Sequence, residues 1–112
     1  MSMDLNLVVL RGKLAADPEL RVFDSGSRLI RYLVTTRTES PKRRVDVIPV
    51  TVWDPADELW GEPGERGLRF TAFGAAQRRF WEGSDGRRSR VEVVAEQVSF
   101  REFTELELAE AK

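Results

Sequence analysis

Apolar and polar positions along the chain follow the two-residue period of strands far more than the 3.6-residue period of helices. Leu5 to Leu10 opens with apolar residues on both parities (Leu5, Leu7 and Val9; Val8 and Leu10). That pattern predicts a strand covered on both faces, by core on one side and a partner on the other. Asp17-Pro18 breaks the chain, and Asp24-Ser25-Gly26-Ser27 is a turn cluster. Arg28 to Arg37 alternates as a strand, with Ile30, Tyr32 and Val34 on one face and Arg31, Thr35 and Arg37 on the other. Thr38 to Arg44 is a polar, basic loop. Val45 to Trp53 is a strand with Ile48, Val50 and Val52 inward and Val47, Pro49, Thr51 and Trp53 opposite. Pro49 lacks a ladder donor and so marks an edge or bulge.

Asp54-Pro55-Ala56-Asp57 predicts a helix start, with Asp54 at the N-cap, and glycines and a proline soon end that helix. Leu68 to Trp81 is a long strand containing Gly74, and Glu82 to Gly86 is a hairpin loop. Arg87 to Ala95 returns, with Val91 and Val93 inward, and Val98 to Arg101 predicts a last short strand. Phe103 to Lys112 is acidic and suits a helix or a frayed tail. The expected architecture is all-β: a five-stranded barrel with one short helix between the third and fourth strands and a long hairpin between the fourth and fifth. A long strand interrupted by glycine suits a small closed barrel, where strands bend sharply.

Composition narrows the chemistry. The 112 residues give room for one domain, and no run approaches transmembrane length, so a soluble intracellular protein without a membrane partner is expected. There is no cysteine and no histidine, which removes disulfides, thiolate metal sites, the commonest zinc ligand and the usual general base at neutral pH. With no phosphate-binding glycine loop and no serine nucleophile motif, neither an enzyme nor a cofactor is expected. Asp54, Asp57 and Glu58 fit helix capping better than a magnesium site. Net charge is −1, but it is unevenly distributed. Glu92 to Lys112 holds six acidic and two basic residues, leaving sixteen basic and thirteen acidic ones ahead of Glu92, a balance of +3.

Val8-Val9-Leu10-Arg11-Gly12-Lys13-Leu14 followed by Asp17-Pro18-Glu19-Leu20-Arg21 resembles the opening of bacterial single-stranded DNA-binding proteins. Ser25-Gly26, Leu68 to Gly74, Gln77 to Trp81 and Glu92 to Ala95 match later segments of that family in order, so the similarity covers roughly residues 5–101. The resemblance implies an oligonucleotide-binding (OB) fold over residues 1–103 with a short acidic tail at 104–112. It also implies a cytoplasmic, nucleoid-associated protein of DNA replication, repair or recombination. The implied partners are single-stranded DNA and further copies of the chain, as a homotetramer or dimer joined through first strands and sheet faces. Trp53 and Trp81 fall at two of the family's stacking-aromatic places, whereas Ser40 and Val47 stand at the other two. The family's long linker and acidic tip do not appear before Lys112, so tip-mediated recruitment of repair enzymes is not expected.

A sequence-tolerant single-strand binder needs flat rings, because every base has a π face, and cations, because every nucleotide carries a phosphate. Trp81 is the first candidate, with Arg78, Arg79, Arg87, Arg88 and Arg90 clustered around it in sequence. Trp53, opposite an apolar face, is the second. Phe80 points away from Trp81 and suits either stacking or core. Trp60 and Tyr32 read as packing residues. Arg37, Lys42, Arg43 and Arg44 form a second basic cluster in a loop that commonly borders the groove of such barrels, and Arg31 and Arg11 are further candidates. Two alternatives compete: a barrel that uses its tryptophans at a protein interface, and an RNA binder of cold-shock type.

Overall fold

Strands dominate residues 3–100, the part of the chain that the computed structural model describes. The order is β1 (Val8–Leu14), β2 (Glu19–Val22), β3 (Arg28–Thr38), β4 (Arg44–Trp53), α1 (Asp57–Gly61), β5 (Arg69–Gly83) and β6 (Gly86–Ser99). The sheet runs β1-β5-β6-β4-β3-β2, and a further β1–β3 pairing closes five strands into a ring, leaving β2 as a hairpin arm on β3. Ladders are antiparallel except β4–β6, where Val50 pairs with Val93 and Thr51 with Val94.

Inward positions build one core: Leu14, Ile30, Tyr32, Val34, Val50, Val52, Phe70, Ala72, Val93 and Ala95. Tyr32 and Phe70 pack ring on ring at 4.5 Å, and the Tyr32 hydroxyl donates to the Pro63 carbonyl at 2.9 Å, which satisfies the one polar atom of that buried ring. Gly74 is required where the backbones of β5 and β6 approach closely. A Cβ there would lie 2.0 Å from the Val94 carbonyl oxygen and 2.8 Å from the Ala95 Cα. At the same place the register jumps from Phe73↔Gln97 to Gly74↔Ala95, so Glu96 is an extra residue in β6. Such a bulge reverses alternation. Ala95 and Val98, three apart, can thus both pack on the core.

Several expectations are corrected. The first strand begins at Val8, and Leu5 and Leu7 lie exposed ahead of it. There the Asn6 amide stands in for a ladder, its Nδ2 donating to the Ala76 carbonyl at 2.7 Å and its Oδ1 accepting from the Ala76 amide at 2.9 Å. β2 is an additional strand. Val98 continues β6 and does not start a new strand, because the bulge restores its inward direction. Val91 shares its face with Val93 but is 52% exposed, because it sits on the β5–β6 arm that extends past the ring. Asp54 does not cap α1: the N-cap position is Ala56 and no side chain caps it. The Asp54 carboxylate instead accepts from the Arg28 amide at 3.1 Å, tying the end of β4 to the start of β3. Pro49 sits one residue ahead of the β4–β6 ladder. The tail at 104–112 lies outside the described residues.

Candidate nucleic-acid interface

Alternation and register place the outward side chains of four strands on one surface. β3 contributes Arg31, paired with Thr51 of β4, and Trp53 follows two residues later on the same face. β6 contributes Glu92, Arg90 and Arg88; β5 contributes Arg79, the direct partner of Arg90, and Trp81, the partner of Arg88. Thr51 is level with Val94 on β6 and Trp81 with Arg88. Those six residues span about 20 Å, and Trp53, two residues further along β4, extends the interval to about 26 Å. The two tryptophans, 50% and 40% exposed, therefore stand near opposite ends of one face. Arg31, Arg79 and Arg90 lie in the interval between them.

Each ring has a companion. Trp53 stacks on Phe23, with centroids 5.6 Å apart and planes 25° apart. The Arg90 guanidinium lies 5.8 Å from the Trp81 ring centroid. Phe23 continues the outward parity of Glu19 and Arg21 just past the end of β2. Sequence reasoning passes over Phe23 because β2 itself goes unrecognised. The signal that finds it is its two-residue spacing from Arg21.

The middle of the face is polar and partly desolvated. Glu92 is buried and its Oε2 accepts from the Thr51 hydroxyl at 3.2 Å. Arg31 buries its Nε and Nη2 without a hydrogen-bond partner. Burial is the main cause that lowers its pKa, and the nearby charge of Arg79 adds to the effect. Desolvated guanidinium donors of this kind gain strongly from an arriving anion.

The remaining candidates divide between other surfaces. Phe80, Arg78 and Arg87 occupy the opposite face of the β5–β6 arm. Phe80 is 51% exposed, which removes the core alternative. Arg87 lies over its ring at 4.4 Å, and the Arg78 Nη1 donates to the Ser89 hydroxyl at 3.1 Å. In the loop, Lys42 is exposed, Arg43 pairs with Glu39 at 3.6 Å and Arg44 with Asp46 at 2.9 Å. Arg88 pairs with Asp85 at 2.6 Å. Exposed pairs of this type are weak, roughly 0–1 kcal/mol, and yield readily to phosphate. Arg37 continues the outward parity of β3, whereas Arg11 lies on β1, away from both tryptophans. Among the described residues no group of three or more acidic side chains is placed to hold a metal, and no helix is long and apolar enough to cross a membrane.

Comparison with known proteins meets this geometry. The sequence model of the single-strand binding protein family matches residues 5–101. The chain is 34% identical over 104 residues to the single-stranded DNA-binding protein of Clostridium tetani, with 88% of this chain and 72% of the relative covered. It is 37% identical over 103 residues to single-stranded DNA-binding protein 2 of Listeria innocua, covering 88% and 65%. Against the single-stranded DNA-binding protein of Caldanaerobacter subterraneus the identity is 31%, covering 88% and 69%. Curled five-strand ring and family match agree, and the chain belongs to the single-strand binding protein family, whose domain is the OB fold.

Proposed function

We propose that this chain binds single-stranded DNA without sequence preference, stacking bases on Trp53 and Trp81 and holding phosphates with Arg31, Arg79, Arg88 and Arg90. The supporting observation is the placement of two exposed tryptophans on one face with arginines between them. Phe23 widens the platform at Trp53. Phe80 with Arg87, and the Arg37, Lys42, Arg43 and Arg44 group, extend the contact beyond that face. Cellular roles in replication, repair or recombination, and a cytoplasmic, nucleoid-associated location, follow as part of the same reading.

Titrating the protein with oligo-dT at two salt concentrations tests it. Tryptophan emission should quench, and log K should fall with log salt with a slope of roughly −3 to −4, for four to six phosphates at about 0.7 each. Absence of quenching at low salt would defeat the proposal. Matched DNA and RNA oligomers in competition separate it from RNA binding, since a clear RNA preference would shift the reading.

We also infer a homo-oligomer, a tetramer or a dimer. Met3, Leu5, Leu7 and Val9 are exposed apolar side chains in and just ahead of β1, a surface that gains by being covered. Light scattering that returned the monomer mass of 12.8 kDa at micromolar concentration would remove this part.

A further inference from the structure

A cleft lies away from the tryptophans, on the far side of the ring where β1 closes onto β3. It measures about 650 Å³ and is lined by Arg11, Lys13, Arg37, Arg66 and Arg69, and no carboxylate is among its lining residues. Its floor is backbone: a Cβ on Gly12 would lie 2.2 Å from the Thr35 carbonyl oxygen, so β1 and β3 meet there main chain to main chain. Register brings the cations together. Lys13 is the direct partner of both Arg69 on β5 and Thr35 on β3, and Arg11 and Arg37 each lie two residues from that line. The loop carrying Arg66 is clamped, with its amide donating to the Asp17 carboxylate at 2.9 Å and the Gly67 amide to the Leu14 carbonyl at 2.9 Å.

Placing like charges directly across a ladder costs stability. A concave wall of five cations with no carboxylate in its lining is complementary to a polyanion, and its backbone floor suits phosphates better than bases. Arg37 also lines a second, smaller cleft with Thr38, Glu39, Arg43, Arg44 and Val45, where three cations outnumber one carboxylate. It therefore joins two basic clefts into one track that starts beside the outer face and passes the ring closure.

We propose that this cleft takes the phosphodiester backbone of the same single strand as it leaves the tryptophan-bearing face, making Lys13, Arg66 and Arg69 binding residues. The inference rests on the single-strand binding reading above.

The test compares the wild-type chain with Lys13→Gln/Arg66→Gln/Arg69→Gln, three exposed positions, using oligo-dT of about 6 and about 16 nucleotides, near the two ends of the range one OB fold occludes. With the long oligomer the variant's salt slope should be shallower by about 2, from three phosphates at about 0.7 each. With the short oligomer it should match wild type, and saturating tryptophan quench should be unchanged with both. The lysine-for-arginine variant Arg66→Lys/Arg69→Lys should keep the wild-type slope. An unchanged slope with the long oligomer would overturn the cleft assignment alone. Lost polyglutamate binding with an unchanged DNA slope would overturn it in favour of an acidic peptide partner. A wild-type chain that bound neither oligomer would overturn the parent reading, and the cleft with it.

Discussion

Arg79 and Arg90 face each other directly across the β5–β6 ladder, and both charges contribute to lowering the pKa of Arg31. The Glu19 and Glu92 carboxylates act in the opposite sense on Arg31, but burial and the two cations outweigh them. Like charges directly opposite in a ladder are destabilising, by an amount on the order of 0.2–1 kcal/mol. The double variant Arg79→Gln/Arg90→Gln should therefore change stability and binding in opposite directions. Relieving the repulsion should raise the thermal midpoint, by up to about 5 °C for a domain of this size. Binding should weaken. Five cations lie along the DNA strand's path (Arg31, Arg79, Arg88 and Arg90 on this face, and Arg37 beyond it), and at about 0.7 each they give a salt slope near −3.5. Affinity for oligo-dT should then fall about 130-fold between 50 and 200 mM salt. Without two of the five, the slope should be near −2.1 and the fall only about 20-fold.

The control is Arg78→Gln/Arg87→Gln, which removes the same charge from the other face of the same arm. If the outer face is the main track, this pair should move the slope by less than half as much. Fluorescence titration at four salt concentrations, with thermal melts of the same samples, reads both quantities. Equal slope changes for the two double variants would refute the assignment of a face. A destabilised Arg79→Gln/Arg90→Gln protein would refute the repulsion argument.

Three further outcomes follow from other parts of the structure. Trp81→Ala should weaken single-strand binding by about 1–3 kcal/mol, the range established for base stacking in this class of protein, and leave the thermal midpoint within a few degrees, because the ring lies outside the core. Tyr32→Phe should cost roughly 1–2 kcal/mol in denaturant unfolding, since it leaves the Pro63 carbonyl without its donor, while oligo-dT affinity stays as in wild type. Gly74→Ala should lower soluble yield or melting temperature severely, because its Cβ would fall 2.0 Å from the Val94 carbonyl oxygen. A wild-type melt for that variant would mean that β5 and β6 separate there at little cost.

The parts of the fold legible in the sequence are those where alternation and burial coincide. β3 and β4 carry clean alternation, and Ile30, Tyr32, Val34, Val50 and Val52 all lie in the core as that pattern predicts. Trp53 is legible as outward for the same reason, and Trp81 from the arginines clustered around it. β2 is not legible: its four residues are all exposed, so no buried face writes a pattern into Glu19–Val22, and Phe23 is lost with it. The bulge at Glu96 is invisible because one extra residue reverses alternation, which makes Val98 read as the start of a separate strand. Val91 misleads because parity fixes which face a residue takes, not whether anything covers that face. The basic cleft draws its residues from β1, β3, β5 and the loop before β5, and only the ring closure brings them together. Nothing in their sequence spacing announces that meeting.

The bulge and the close approach at Gly74 also explain how a small core can serve a long ligand. A closed ring has little outer surface, and strands that ended where the ring ends would leave no room for a second ring 26 Å from Trp53 by strand spacing. Because β5 comes close to β6 at Gly74 while β6 absorbs an extra residue at Glu96, both strands can pack inward with Ala72, Val93, Ala95 and Val98, and their far halves then continue beyond the ring. That arm, from about Arg78 to Val91, contributes no residue to the core. Its composition is therefore unconstrained by packing, and arginine and aromatic residues occupy it on both faces. The arrangement separates stability from recognition. Substitutions on the arm should change affinity and move the melt by no more than about 5 °C, whereas substitutions at Tyr32, Phe70 or Gly74 should lower the melt and leave affinity unchanged. Fold loss from arm variants alone would break this separation, since it would mean that the arm's ladder, and not the ring, carries the folding free energy.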